Sequence, residues 1–157
     1  MRVGIGYDAH RLTTGRPLIL GGVEIPFEKG LAGWSDADVL SHAIMDSLLG
    51  AAGLRDIGYH FPPNDPAYKD ISSIILLNRV ADLLKSQGWR IGNIDATIIA
   101  ERPLLRTFIS PMKQNVARAL SIGETQIGIK ATTNEGMGFV GRGEGIATYA
   151  VALLEKA

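Results

Sequence analysis

Residues 2–10 read RVGIGYDAH, and their alternation sets what the rest of the chain has to be built around. Successive side chains of a strand point to opposite faces, so residues two apart share one. Val3, Ile5 and Tyr7 then lie on one side, and Gly4, Gly6, Asp8 and His10 on the other. An aspartate and a histidine two positions apart on one face read either as half of a metal site or as a turn that happens to hold two polar residues.

The segments that follow say what lies against this strand. LILGGVEI (18–25) is a hairpin signal, two short β-rich runs about Gly21 and Gly22. SDADVLSHAIMDSLLGAAG (35–53) reads as a helix, with Ser35 as N-cap, Asp38 three residues later, and Gly53 as the stop. Val39, Leu40, Ala43, Ile44 and Leu48 recur on it at helical spacing. A second helix is expected over 70–88, capped by Asp70 and ended by Gly88, and a third over 110–120 with Ser110 at the cap and Pro111 at the first helical position. The runs 94–100, 127–133 and 145–154 are β-rich; the last has helical character too, but its glycine-rich approach and alternation favour a strand. Interleaved helices and strands predict an α/β (α+β) fold over 1–157, one domain with helices on one face of a mixed sheet. Three helices leave the other face to be covered, and association of copies is the simplest way to do so.

Composition narrows the chemistry. Sixteen basic residues balance sixteen acidic ones, so no net field draws the chain to nucleic acid or to an anionic membrane. Cysteine is absent, so a transition metal would be bound by His, Asp or Glu, and there are three histidines. No apolar run is long enough to cross a bilayer, and the strand pattern begins directly after Met1, so the expected location is the cytoplasm.

Ser35, Asp38, His42 and Asp46 fall three and four apart and form one polar stripe on the first helix. The stripe reads as a solvated face or, with Asp8 and His10, as a metal site of three ligands with an open fourth position. Asp46, one turn beyond His42, is placed to accept from its second ring nitrogen. RDIGYHFPPNDPAY (55–68) is a long turn-rich connection whose His60 is an alternative ligand or a surface residue. KATTNEGMGFVGRGEG (130–145) ends a strand in Thr132, Thr133 and Glu135 before a glycine-rich bend. Hydroxyls and amides there suit phosphate oxygens, Glu135 suits a hard cation, and a purely structural bend is the other reading.

Taken in order, GYDAH, GGVEIP, SDADVLSHAIMDSLLGAAGLRDIG, FPPNDP, TIIAERP and KATTNEGMGFVGRGEGIA resemble the 2-C-methyl-D-erythritol 2,4-cyclodiphosphate synthase family nearly end to end. The resemblance implies a ferredoxin-like homotrimer with active sites between subunits. It implies zinc on Asp8, His10 and His42, one per subunit, and Mg²⁺ or Mn²⁺ on Glu135 bridging substrate phosphates. It implies that Asp8, Ala9, His10, Trp34, Ser35, His42, Asp56, Ile57 and Gly58 meet the substrate, with Phe61, Pro62, Pro63, Asn64 and Asp65 beside them. A neighbouring subunit would hold cytidine diphosphate with Ala100, Pro103, Leu104, Leu105 and Arg106, and with Ala131, Thr132, Thr133, Asn134 and Glu135. Thr133 would be a phosphate-side transition-state stabiliser. At position 34 the family His is a phosphate donor, a bond that here falls either to the Trp34 indole N–H or to Ser35 and backbone amides. Phe139 and Arg142 would line an axial cavity for isoprenoid diphosphates. The chain departs from the pattern at Trp34, where the family carries His, at Pro63 in place of an acidic residue, and at Leu104 in place of Lys. Two other readings share these residues: a zinc-dependent phosphate-ester hydrolase, and a trimeric isoprenoid-diphosphate-binding protein.

Overall fold

The computed structural model describes residues 1–157. Seven strands, β1 (Arg2–Thr13), β2 (Leu18–Leu20), β3 (Val23–Ile25), β4 (Gly30–Leu31), β5 (Trp89–Ile99), β6 (Ile127–Thr132) and β7 (Gly145–Lys156), alternate with helices. The helices are α1 (Val39–Ala52), α2 (Ile57–His60), α3 (Ser73–Ser86), α4 (Ile109–Leu120) and α5 (Gly138–Gly141). Five strands form one mixed sheet in the order β4-β1-β7-β5-β6, in which only β5 and β6 run parallel. The expected hairpin is present as β2 and β3, and residues 145–154 are strand, as their alternation predicts.

The long helices cover one face of this sheet. Every residue of α1 but Asp46 and Gly50 is buried, so the helix is enclosed by strand, hairpin and α3 rather than floated on the surface. Leu40, Ile44, Leu48 and Leu49 are fully buried there, each contributing roughly 1.5–3 kcal/mol on transfer from water. The opposite face is bare: Val3, Ile5, Tyr7, Tyr149 and Val151 are all exposed. No helix is long and apolar enough to cross a membrane.

What brings α1 against β1 is the pair of glycines on the inward face. A Cβ on Gly4 would lie 2.1 Å from the Ser47 carbonyl oxygen, and one on Gly6 would lie 1.9 Å from that of Ala43. Strand and helix therefore touch backbone to backbone, which only glycine permits.

Several helix starts differ from expectation. α1 starts at Val39, and its N-cap is Asp38, whose carboxylate accepts from the Ser41 amide at 3.0 Å. Ser35 lies before the helix. The amides of Gly21 and Gly22 also donate to Asp38, at 2.9 and 2.8 Å, so this buried carboxylate ties the β2–β3 turn to the helix. Burial raises its pKa, and those amides oppose the shift. α3 starts at Ser73, not at Asp70, and its first amide is taken by Asp36 at 3.0 Å. α4 begins at Ile109, which puts Ser110 and Pro111 within its first turn.

Candidate functional site

Asp8 and His10 project from the inward face of β1 and meet His42 on α1. His10 Nε2 lies 2.8 Å from Asp8 Oδ2, His42 Nδ1 lies 2.9 Å from the same oxygen, and the two ring nitrogens are 3.2 Å apart. The outer nitrogens decide what these three atoms are. His10 Nδ1 faces the Ala32 carbonyl oxygen at 2.7 Å, and a carbonyl only accepts, so Nδ1 carries the proton. His42 Nε2 faces Ser73 Oγ at 2.9 Å, and that hydroxyl donates its own hydrogen to Asp36 Oδ1 at 2.5 Å. Ser73 Oγ must then accept from His42, so Nε2 carries the proton there. Ser35 Oγ, at 3.2 Å, shares the same nitrogen.

In its neutral form each imidazole would thus turn a lone pair toward the Asp8 carboxylate oxygen. Three electron-rich atoms within about 3 Å repel one another unless a cation or protons lie between them. Tetrahedral zinc with bonds of about 2.0–2.1 Å sets its ligands ~3.3 Å apart, so the observed triangle needs only slight opening to fit. The donor set suits zinc, with both outer nitrogens held by second partners as metal-binding histidines require.

Burial by itself would raise the Asp8 carboxyl, but hydrogen bonds and charge from His10 and His42 outweigh it and hold the pKa at about 2. Asp8 is therefore ionised across the neutral range and well into acid. Burial works to lower His10, and the Asp8 carboxylate outweighs that as well, so its pKa is raised. A metal has to displace this proton, so affinity should fall as pH drops through the raised pKa.

The sequence placed Asp46 behind His42. Instead Asp46 accepts from the Ile57 amide at 2.9 Å, fixing the entry to α2, and the outer nitrogen of His42 is held by Ser73, which in turn donates to Asp36. Residues three and four apart on one helix share a face, but the ring of His42 turns its outer nitrogen toward α3. Ser73 and Asp36 carried no local signal, because their partner comes from another element. His60 donates from Nε2 to the Leu54 carbonyl at 2.7 Å and stands outside the cluster, so it is not a ligand.

The cluster borders a cavity of about 220 Å³ lined also by Trp34, Ser35, Ile57, Gly58, Phe61 and Pro63, with Tyr68 and Leu76, which sequence reasoning did not single out. Ala9, Asp56, Pro62, Asn64 and Asp65 lie beside these residues in the chain but not on its wall. Asp56 instead caps α2 through the Tyr59 amide at 2.9 Å. A second cavity, of about 440 Å³, gathers Ala100, Pro103, Leu104, Leu105, Arg106, Ala131, Thr132 and Thr133, and shares no residue with the first. The turn after Thr133 is held by Glu101 Oε1, which accepts the amides of Asn134 and Gly136 at 2.7 and 3.3 Å. Glu135, at φ 55°, projects from that turn with its amide on Thr133 Oγ1. Arg142 lines a third cavity of about 320 Å³ and pairs with Glu144 at 3.0 Å, while Phe139 stays partly exposed nearby.

Comparison with known proteins gives a consistent set of relatives. The sequence matches the YgbB family over residues 1–155. It is 61% identical over 156 residues to a 2-C-methyl-D-erythritol 2,4-cyclodiphosphate synthase of Pelotomaculum thermopropionicum, covering 99% of this chain and 96% of the relative. It is 58% identical over 157 residues to that of Syntrophomonas wolfei, covering 100% of both. Among solved structures, the IspF of Plasmodium falciparum in complex with CDP superposes with a TM-score of 0.87 at 35% identity, over 99% of this chain and 96% of that one. The bifunctional IspDF of Campylobacter jejuni superposes with a TM-score of 0.96 at 40% identity; the match takes in 99% of this chain and 42% of the bifunctional one.

Proposed function

The chain belongs to the YgbB family, and on that premise we infer that it cyclises 4-diphosphocytidyl-2-C-methyl-D-erythritol 2-phosphate to 2-C-methyl-D-erythritol 2,4-cyclodiphosphate with release of CMP. That is a phosphorus–oxygen lyase step of non-mevalonate isoprenoid synthesis. The observation that carries the reading is the convergence of Asp8, His10 and His42 lone pairs beside a cavity also lined by Ile57 and Gly58. The CDP held by the falciparum protein supports a cytidine-diphosphate-type substrate, for which the cavity between Ala100 and Thr133 is the matching receptor.

An oxygen of the 2-phosphate attacks the β-phosphorus, the bond from that phosphorus to the bridging oxygen breaks, and the electron pair leaves on CMP. An ionised phosphate is already a nucleophile, so no residue need act as its base; positioning and charge neutralisation do the work. Asp8, His10 and His42 would hold zinc, and Glu135 would hold Mg²⁺ or Mn²⁺, and these ions would supply Lewis-acid neutralisation of phosphate charge. Asp56, Ile57 and Gly58 orient the methylerythritol unit. Ala100 to Arg106 and Ala131 to Asn134 receive the nucleotide, and the Thr133 hydroxyl offers its hydrogen to a phosphate oxygen. Phe139 and Arg142 line the axial cavity, where an isoprenoid diphosphate binds; isothermal titration with geranyl diphosphate tests this, and an unchanged affinity in Arg142→Ala would argue against it. Substrate and product are multiply charged, which suits an enzyme of the cytoplasm.

The bare apolar face of β1 and β7 supports a homotrimer of ferredoxin-like subunits, in which two further copies cover it and complete each site. Separate metal-side and nucleotide-side cavities suit that arrangement. Light scattering should give three times the chain mass, and a monomer at micromolar concentration would sink this part of the reading.

The decisive assay is phosphorus NMR of the zinc- and Mg²⁺-loaded protein with the cytidyl substrate. CMP and a cyclic diphosphate are expected. Open-chain phosphates would instead indicate a metal-hydroxide hydrolase, and no turnover an isoprenoid-diphosphate-binding protein.

A further inference from the structure

Trp34 stands at the edge of the metal-side cavity, but its one donor does not point at a ligand. Its indole N–H donates to the Asp65 carbonyl oxygen at 2.9 Å, and indole has no second hydrogen to offer. The backbone carbonyl of the same residue accepts the Asp70 amide at 2.9 Å. Lys69 Nζ lies 6.0 Å from the ring centroid, within the range of a cation–π contact. One residue thus holds the connection between α2 and α3 at positions 65, 69 and 70. Phe61, Pro63 and Tyr68 of that connection form a wall of the cavity beside Asp8, His10 and His42. Trp34 is itself held from behind: Arg16 donates to the Gly33 carbonyl at 3.2 Å and to the Ser35 carbonyl at 2.8 Å, fixing both of its neighbours.

We propose that Trp34 is a positioning residue that fastens the 61–70 segment as a wall of the metal-side cavity, acting through its N–H on Asp65 rather than on a substrate phosphate. The assignment rests on the cyclase reading for its kinetic consequence, but not for its structural one. Phe61 and Tyr68 pack against the core and edge-to-face on each other at 5.5 Å, so the segment is anchored on either side, but the stretch between them has little else to hold it. Pro62, Pro63 and Pro66 lack amide hydrogens, and none of residues 61–70 is buried. Asp65 bonds only locally through its side chain, to the Ala67 amide at 2.9 Å, so its carbonyl bond to Trp34 is the long-range tie of the segment's middle.

Trp34→Phe keeps an aromatic ring and removes only the N–H. In the zinc-loaded protein, amide hydrogen exchange across 64–70 should accelerate about tenfold, the worth of one hydrogen bond, while β5 and β7 amides exchange as in the parent. With the cytidyl substrate, KM should rise about tenfold and kcat fall by less than threefold, because a loosened wall weakens binding while the reacting atoms keep their partners. Unchanged exchange across 64–70 would overturn the proposal. So would a kcat loss of a hundredfold at constant KM, the signature of a donor to the transition state. If the parent protein itself turns over no cytidyl substrate, the cyclase reading has failed, and the exchange measurement still decides the role of Trp34.

Discussion

Gly6→Ala is expected to yield a protein that is largely unfolded or that melts at least 10 °C below the parent, although it adds a single methyl group. The added Cβ falls 1.9 Å from the Ala43 carbonyl oxygen and 2.8 Å from the Ser47 amide nitrogen, both backbone atoms of α1. Side chains relieve a clash by changing rotamer, but a helix backbone relieves one only by moving as a body. Helix and strand would have to separate by about 1 Å, against a core packed as densely as a crystal. Ordinary overpacking costs about 1–3 kcal/mol; here the clash is with backbone, so a cost above ~4 kcal/mol is expected, against a total stability of about 5–15 kcal/mol. Any folded fraction should also bind metal poorly, since the same retreat draws His42 Nδ1 away from Asp8 Oδ2. Gly50→Ala is the control: its Cβ would meet nothing nearer than the Ile5 carbonyl oxygen at 3.9 Å, and alanine favours a helix interior by up to ~1 kcal/mol over glycine. Thermal melts followed by circular dichroism separate the two, and a Gly6→Ala melt within 3 °C of the parent would contradict backbone-to-backbone packing.

His42→Ala should abolish metal binding and lower activity by at least about a thousandfold while leaving the circular dichroism spectrum unchanged. It deletes one of three donor atoms, and the two that remain, Asp8 Oδ2 and His10 Nε2, make a poor zinc site. Ser73→Ala leaves all three donors in place but removes the acceptor of the His42 outer N–H. Zinc affinity, measured by chelator competition, should then fall about 10–100-fold, between the parent and His42→Ala. That order is the test. If Ser73→Ala binds zinc as tightly as the parent, the hydrogen-bond chain does not set the tautomer. If His42→Ala retains a full equivalent of metal, the cluster is not the site. Affinity in the parent should weaken with acid, because the His10 proton competes with the metal and the raised pKa extends that competition upward from the ordinary histidine range.

Much of this was legible in the sequence because it depends on local rules. The period-two alternation of residues 2–10 put Asp8 and His10 on one face, and they are there. The hairpin about Gly21–Gly22, the three long helices and the strand nature of residues 145–154 followed from turn chemistry and hydrophobic period. The misplaced features all involve a partner distant in sequence. Ser35 looked like the cap of α1, but the buried carboxylate of Asp38 also had the Gly21 and Gly22 amides to satisfy. Asp46 looked like the support of His42, but its oxygen was drawn to the Ile57 amide. For Trp34 the sequence left two readings open, and the partner its indole hydrogen takes, the Asp65 carbonyl, lies 31 residues away.

The sequence by itself determined which residues could be ligands and which face of the strand carries them, since alternation is a property of the backbone alone. Whether strand and helix meet was a tertiary decision. It turned on Gly4 and Gly6, whose missing side chains let α1 settle onto β1 until His42 reached Asp8. The tautomers were decided in the same way, because only the folded chain sets the Ala32 carbonyl and the Ser73–Asp36 pair against the outer nitrogens of the two rings. Three residues apart in sequence became a candidate cation site when the outer ring nitrogens were engaged elsewhere and the inner ones were left facing one carboxylate oxygen.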